Sequence, residues 1–224
     1  METGGTSAVY QVLQQLGEAG VVSKSFEDSW LEALEGALAV GDRLVIGAEQ
    51  VDAAFEHIVQ LLMDSGALLR SRSHASAAFF AISALEEIAK VHVGMFRRSG
   101  EKVQRRKDPL FHHAEKHRLA AVPTIAMGSR LQRVFGEERM HALMDKAATG
   151  GLISVREAAL YLTNNGGELI IPKVAVDPAL SRDLLLFAIE AFDDALVGFT
   201  TNSFALAETT DNLFDEVSAM DAGR

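Results

Sequence analysis

The spacing of apolar residues predicts α-helices along most of the chain. Apolar positions recur every three or four residues, which places them on one face of a helix. Segments with this spacing predict helices at 6–18, 25–40, 48–72, 73–98, 109–122, 129–147, 154–161 and 178–207, with a weaker helix after residue 210. The sequence therefore predicts an all-α bundle of about seven to nine helices.

Polar and glycine-containing segments mark the ends of the predicted helices. Asp108-Pro109 predicts a helix start, because aspartate is a good N-cap and proline suits the first helical position. Gly150-Gly151 interrupts a helix, and Ser154 is expected to cap the next one. Residues 164–167 predict a turn, and residues 169–172 an extended link rather than a strand.

The chain shows no internal repeat and no low-complexity segment. We expect residues 1–224 to form a single helical domain, with a short N-terminal extension and an acidic C-terminal helical region.

Composition excludes several classes of protein. Apolar residues make up 48% of the 224 positions, which is enough for a packed core. The absence of cysteine excludes disulfides and thiolate metal sites and fits a reducing cytoplasm. The first residues lack the pattern of a signal peptide, and no apolar run is long enough to span a membrane. We expect a cytoplasmic protein without a membrane segment.

Charge is distributed unevenly. The net charge of -10 argues against general coating of nucleic acid, because phosphate binding requires cations. Between Arg97 and Arg118, however, eight basic residues face only three acidic ones. This segment is either a local anion-binding region or a solvated charged loop, which is the more common meaning of a charge run.

The predicted helix at 73–98 carries a narrow polar strip on an otherwise apolar circumference. Its members are Ser83, Glu86, Glu87, Lys90 and Gly94. A helix this apolar is expected to be buried, so its carboxylates need partners. Glu86 and Lys90 have the spacing of a favourable helical ion pair, and an ordinary salt bridge on an exposed side is the alternative. His92 falls on the apolar side and is expected to be a core histidine.

The helix predicted after Asp108 carries His113 and His117 on the flank of its core face. His112 and Lys116 are expected to point further outward. His113 would lie near the helix start, where free amides and the helix dipole favour an anion. Three cations, Arg105, Arg106 and Lys107, immediately precede the cap.

These groups fit the cleavage of a phosphodiester. An imidazole can move protons near neutral pH, and an arginine can stabilise developing negative charge. A zinc site is the alternative for His113 and His117, but the sequence lacks HExxH and shows no third ligand. We therefore expect neither a metal ion nor a cofactor.

Three sequence blocks resemble those of the AbiV-family abortive infection proteins, which belong to the HEPN superfamily. The blocks are "SALEEIAK" (83–90), "RRKDPLFHHAEK" (105–116) and "REAALYL" (156–162). The resemblance covers about residues 30–200. It implies a helical bundle that often dimerises. Many HEPN proteins are metal-independent ribonucleases of defence and toxin systems, although the superfamily includes non-catalytic members.

The resemblance also implies a catalytic motif, an arginine separated by four to six residues from a histidine. Arg106 and His113 satisfy it with six intervening residues, and Arg106 and His112 with five. The first pair is favoured by the helical positions. His113 would act as general base or acid, and Arg106 would stabilise the transition state.

The resemblance places further residues near this pair. Glu86 and Glu87 would orient His113 and the cations, and Lys90 and Lys116 would pair with carboxylate or phosphate. The residues expected to contact substrate are Arg105, Lys107, His112, His117, Arg156 and Tyr161. Tyr161 is alternatively a packing residue.

The expected function is phage defence by RNA cleavage. RNA is the expected substrate, a second copy the expected partner, and a phage protein the expected trigger. The alternatives are a non-catalytic module that binds a phage or host protein, and a HEPN domain that binds a nucleotide without cleaving it.

Overall fold

The structure is a computed structural model. It describes residues 33–34, 36–38, 47–97, 104–121 and 125–220, without the side chains of Arg105 and residues 125–129. The predicted helix at 6–18 and most of the one at 25–40 lie outside these residues. The all-α class is confirmed, whereas a single domain over the whole chain stays a prediction.

Helices account for most of the described chain. They are α1 (Ala48–Arg70), α2 (His74–Phe96), α3 (His113–Ala120), α4 (Ile125–Phe135), α5 (Glu137–Ala148), α6 (Gly151–Leu160), α7 (Pro172–Ala175), α8 (Pro178–Leu196) and α9 (Thr201–Ser218). Two 3-10 turns precede α3, at Arg105–Lys107 and Pro109–Phe111, and a hairpin of β1 (Thr163–Asn165) and β2 (Glu168–Ile170) follows α6.

Helix α2 is the centre of the bundle. It packs between α1 and α8 and also contacts α3 and α6. Alanines along α2 are fully buried, including Ala77, Ala81 and Ala84, and their small side chains let neighbouring helices approach closely. Because α2 packs against these four helices, Glu86 of its polar strip is buried, whereas Glu87 and Lys90 of the strip are partly exposed. No helix in the described segments is long and apolar enough to cross a membrane.

The helix predicted from Pro109 to residue 122 begins later than predicted. Asp108 does act as a cap, and its Oδ1 accepts a hydrogen bond from the amide of Leu110 at 2.9 Å, but it starts only a 3-10 turn. The chain is then extended at His112, and α3 begins at His113. The break places His113 in the first turn of a new helix.

Two long predicted helices are each divided in the structure. The segment predicted at 129–147 ends at Phe135 and restarts after Gly136, which has φ 85°. The segment predicted at 178–207 ends at Leu196, and the chain turns through Gly198 with φ 99°. Both glycines have a positive φ that other residues rarely adopt, so the chain can turn there between two helices.

Helix α9 is longer than the sequence predicts. The Thr200 side chain accepts a hydrogen bond from the amide of Ser203 at 3.2 Å and so caps its start. The helix continues without interruption to Ser218. The weaker helix predicted after residue 210 is therefore the second half of α9.

The region around α6 differs from the prediction in two ways. Helix α6 begins at Gly151, after Gly150 with φ 80°, so Ser154 lies inside the helix and does not cap it. The turn predicted at 164–167 is present, but it joins two strands. Residues 168–170 pair antiparallel with residues 163–165, whereas an unpaired link was predicted. Strands of three residues are too short for their alternation to be recognised in a sequence.

Candidate active site

Glu86 is the centre of a buried polar cluster between α2 and α3. Its side chain is 6% exposed. Oε1 lies 2.7 Å from Nδ1 of His113 and 2.9 Å from Nε2 of His117. Oε2 accepts a hydrogen bond from Nζ of Lys116 at 2.6 Å. One carboxylate therefore holds three side chains of a neighbouring helix.

The three partners share one face of α3 because they occupy positions i, i+3 and i+4. Lys116 was predicted to point outward, and this is wrong: its side chain is 8% exposed and faces Glu86. The prediction treated 109–121 as one helix and took Leu110, Phe111, Ala114 and Ala121 as its core face, of which only Leu110 and Phe111 lie outside α3 and its cap. Those residues belong to a separate 3-10 turn, so they do not determine which face of α3 is buried.

The pKa of Glu86 reflects two opposed effects. Burial alone would raise the pKa, but hydrogen bonds from His117 and Lys116, together with the positive charge of Lys116, lower it from 4.5 to about 2. Glu86 is therefore a carboxylate at neutral pH. An ionised carboxylate only accepts hydrogen bonds, so His113 donates from Nδ1 and His117 from Nε2.

Of the three α3 residues that contact Glu86, only His113 reaches the surface. Its side chain is 45% exposed, whereas that of His117 is fully buried. His117 was predicted to contact substrate, but in this structure it lies in the wall of the site. Its Nδ1 is buried and has no hydrogen-bond partner among the described residues. A donating Nδ1 on His113 leaves the Nε2 of its neutral ring free to accept a proton.

Arg156 approaches the same carboxylate from α6. Its Nε lies 3.5 Å from Oε1 of Glu86, and its guanidinium carbon lies 5.0 Å from the ring centre of Phe79. The side chain is 23% exposed. Arg156 and His113 therefore approach the same carboxylate oxygen, and the contact of Arg156 with a substrate stays a prediction.

Glu87 and Lys90 pair with each other at 2.6 Å on α2. Both side chains are about a quarter exposed, at 27% and 23%. The ion pair expected between Glu86 and Lys90 is not formed, because Glu86 faces α3. Glu87 and Lys90 therefore form a separate pair on the same helix.

Arg106, Lys107 and His112, which precede α3, lie at the surface. Arg106 is exposed, and its Nε donates a hydrogen bond to Oε1 of Gln104 at 3.0 Å. His112 is also exposed, and its Nε2 lies 2.8 Å from the backbone oxygen of Arg106. The two neighbouring histidines therefore have different partners: His112 contacts the backbone of Arg106, and His113 contacts Glu86. Lys107 is exposed, and the side chain of Arg105 lies outside the described residues.

A buried ion pair that the sequence did not reveal holds this segment. Arg97 donates from Nη1 to Oδ2 of Asp108 at 2.7 Å and from Nε to the backbone oxygen of Ala37 at 2.8 Å. A second hydrogen bond joins Nη2 to Oδ1, so the pair is bidentate. Asp108 was recognised only as a cap, and nothing in the sequence distinguishes Arg97 from the neighbouring cations.

Tyr161 and His92 were also singled out in the sequence. Tyr161 follows α6 in an extended conformation and is 60% exposed, so it is not a packing residue. His92 is in contact with Phe96 and Phe199, and burial lowers its pKa from 6.5 to about 4. Among the described side chains, no three His, Asp or Glu residues are arranged to hold a metal ion.

The fold is the helical bundle expected of a HEPN-type protein, with a glutamate–histidine–lysine cluster at the junction of α2, α3 and α6. The family model described as AbiV, in the HEPN superfamily, matches residues 47–191. The chain therefore belongs to the AbiV family of HEPN proteins. No curated protein and no solved structure matches the chain.

Proposed function

We propose that the protein is a metal-independent endoribonuclease that acts in the cytoplasm in phage defence. The observation that carries this proposal is the 2.7 Å contact between Glu86 and His113. It supplies an oriented imidazole at the surface of a cationic site. An oriented imidazole beside cations is the minimum that proton-transfer catalysis on a phosphodiester requires.

The proposed reaction uses the ribose 2′-hydroxyl of the substrate as nucleophile. Nε2 of His113 accepts the hydroxyl proton while the 2′-oxygen forms a bond to the adjacent phosphorus. The bond from phosphorus to the 5′-oxygen breaks, and the proton returns from His113 to that oxygen. The products are a 2′,3′-cyclic phosphate and a 5′-hydroxyl. This route needs no metal, because the substrate provides its own nucleophile and side-chain cations stabilise the charge.

Cations around His113 would bind the RNA backbone. Arg106 has the motif position of the transition-state arginine, and Arg105, Lys107 and His112 would bind neighbouring phosphates. Lys116 and Glu86 would hold the imidazole, and Glu87 with Lys90 would support the same helix. The acidic remainder of the chain would restrict RNA to this region.

The proposal is tested by incubating the purified protein with total RNA in EDTA. We expect cleavage that resists EDTA and falls by about 100-fold or more in His113→Ala, as general acid–base catalysis predicts. His57→Ala removes another exposed histidine, on α1, and should leave the rate unchanged. His112→Ala should lose less activity than His113→Ala. Intact RNA after incubation with the wild-type protein, alone and with a phage lysate, would exclude the nuclease.

A second candidate function, binding of another protein, is favoured by the hairpin. The pairing of Asn164 with Leu169 places Leu162 and Ile171 on the same hairpin face as Leu169. These three side chains are 63%, 39% and 60% exposed. Clustered exposed apolar groups are typical of protein-binding surfaces. A module that binds a phage or host protein would use this surface without cleaving RNA.

We propose that a second copy of the chain occupies the hairpin face. Exposed charge nearby is sparse, with Glu157, Glu168 and Lys173 on the adjoining segments, so two acidic copies can meet there with little repulsion. In the described structure β1 and β2 pair only with each other. The outer edge of each strand therefore has unpaired backbone groups that a strand of a two-fold-related copy can bind.

The dimer is tested with single cysteines, because the chain has none of its own. Leu162→Cys should form a disulfide-linked dimer under mild oxidation. Phe204→Cys, at a residue 62% exposed on α9, is the matched control and should remain monomeric on a denaturing gel. A wild-type protein that sediments as a monomer at 100-micromolar concentration, on the order of weak-dimer affinities, would instead assign the face to a different protein.

A further inference from the structure

Cations outnumber carboxylates in the Glu86 cluster. Glu86 is the carboxylate in contact with Lys116, His113 and His117, and Arg156 adds a second permanent positive charge. The cluster therefore carries an excess positive charge even with both imidazoles neutral. Buried or half-buried charge of one sign is costly unless a counter-charge is present. The cluster is consequently suited to an anion.

The contact between Arg156 and Glu86 is looser than the others. Nε of Arg156 lies 3.5 Å from Oε1, whereas the three partners on α3 lie 2.6 Å to 2.9 Å from the carboxylate. That Nε is buried, and among the described residues it has no hydrogen-bond partner. Glu86 takes three hydrogen bonds from α3 and none from Arg156, so the terminal guanidinium groups of this partly exposed side chain are available to a ligand.

Arg156 and His113 converge on one carboxylate oxygen. Their nitrogens lie 3.5 Å and 2.7 Å from Oε1, so Arg156 Nε and His113 Nδ1 are at most 6.2 Å apart. Both side chains are partly exposed, at 23% and 45%. Phe79 packs beneath the guanidinium and limits its movement. A phosphate group beside the His113 ring is therefore within reach of Arg156.

We propose that Arg156, rather than Arg106, binds the phosphate group on which His113 acts. Arg106 has the motif spacing, but its exposed guanidinium is bound to Gln104 two residues earlier, and it makes no contact with Glu86 among the described residues. This inference rests on the proposed function and names the residue that holds the scissile phosphate. The phosphate-binding arginine would then be Arg156 on α6, and not Arg106 in the segment before α3.

The affinity for an RNA that cannot be cleaved distinguishes the role of Arg156 from that of Arg106. The probe is a fluorescent 2′-O-methyl RNA oligonucleotide, in which the nucleophile is blocked. We expect Arg156→Gln to weaken binding by about tenfold or more, the usual effect of losing a charge-assisted hydrogen bond to phosphate. Arg106→Gln should weaken it by no more than about threefold, as expected for one screened surface charge. Arg133→Gln removes an exposed arginine of α4 and is the matched charge control.

A conservative variant distinguishes ligand binding from support of the fold. Arg156→Lys keeps the charge but lacks the planar fork, so its RNA binding should fall between that of the wild type and that of Arg156→Gln. Its melting temperature reports whether the fold is retained. A histidine NMR spectrum with the His113 signals unchanged would show that the ring is still held by Glu86. If Arg156→Gln unfolds, the test rests on Arg156→Lys alone. An affinity of Arg156→Lys for the oligonucleotide equal to that of the wild type would then overturn the proposal.

The outcomes for binding and cleavage are separable. Loss of oligonucleotide binding in the Arg156 variants of a protein that never cleaves RNA would sustain Arg156 as the phosphate-binding residue beside His113, but would exclude the nuclease and the step assigned to His113. Cleavage and binding retained in both Arg156 variants, but lost in Arg106→Gln, would overturn the inference and leave the nuclease in place. A wild-type protein that does not bind the oligonucleotide also overturns it.

Discussion

Glu86 Oε1 lies 2.7 Å from Nδ1 of His113, across 27 positions of the sequence. Glu86 projects from the central helix of the bundle, whereas His113 begins a short helix at the surface. The contact therefore couples the interior of the protein to a solvent-facing imidazole. It determines which ring nitrogen carries the proton, and several measurable consequences depend on it.

Removing the charge of Glu86 is expected to destabilise the fold. In Glu86→Gln, Lys116 remains buried without a counter-charge, and breaking such a pair costs about 3–5 kcal/mol. Urea denaturation measures this free energy. Glu87→Gln is the control on the same helix, and its loss should stay below about 1 kcal/mol because that pair is partly exposed. Equal losses in the two variants would contradict a special role for Glu86.

The stability of the wild-type protein should fall in acid because of Glu86. Its pKa is lowered from 4.5 to about 2 in the fold, so its ionised form is favoured there. This stabilisation is fully present above pH 4.5 and is lost as the pH falls towards 2, with a total on the order of 3 kcal/mol. Unfolding curves of Glu86→Gln should lack this part of the pH dependence. Parallel pH profiles for wild type and variant would rule out the assignment.

Glu190 should give the opposite pH dependence. It is 2% exposed on α8, and burial raises its pKa from 4.5 to about 8 although Arg130 lies 2.8 Å away and opposes this. The protonated form is favoured in the fold, so stability is greatest below pH 4.5 and is lost as the pH rises through 8. Glu190→Gln should therefore stabilise the protein more at pH 9 than at pH 5, measured by thermal unfolding. An equal effect at pH 5 and pH 9 would show that the pKa of Glu190 is not raised in the fold.

The ion pair between Arg97 and Asp108 should hold the segment that leads into α3. Either single variant, Arg97→Gln or Asp108→Asn, leaves a buried partner and should cost about 3–5 kcal/mol. The double variant should cost less than the sum of the two, which a double-mutant cycle in urea measures. Full additivity would mean that the two side chains do not interact in solution.

Much of the candidate site was predicted from the sequence, and the missing part has a physical cause. Glu86 was identified because a carboxylate on an apolar helix needs a partner, and His113 because of its distance from Arg106 and its place near a helix start. Lys116 was given the wrong orientation, because the break at His112 separates α3 from two of the residues used to orient it. Periodicity describes one helix at a time and is uninformative where a helix is interrupted.

The sequence by itself determined the helical class, the central helix with its polar strip and the family to which the chain belongs. These properties depend on local spacing and on short ordered motifs, which are present in one dimension. Only the tertiary structure decided which donors meet Glu86, that His117 is buried and that Arg156 approaches the carboxylate of Glu86. Such contacts join α2, α3 and α6, and they depend on how the three helices pack rather than on the properties of any one of them.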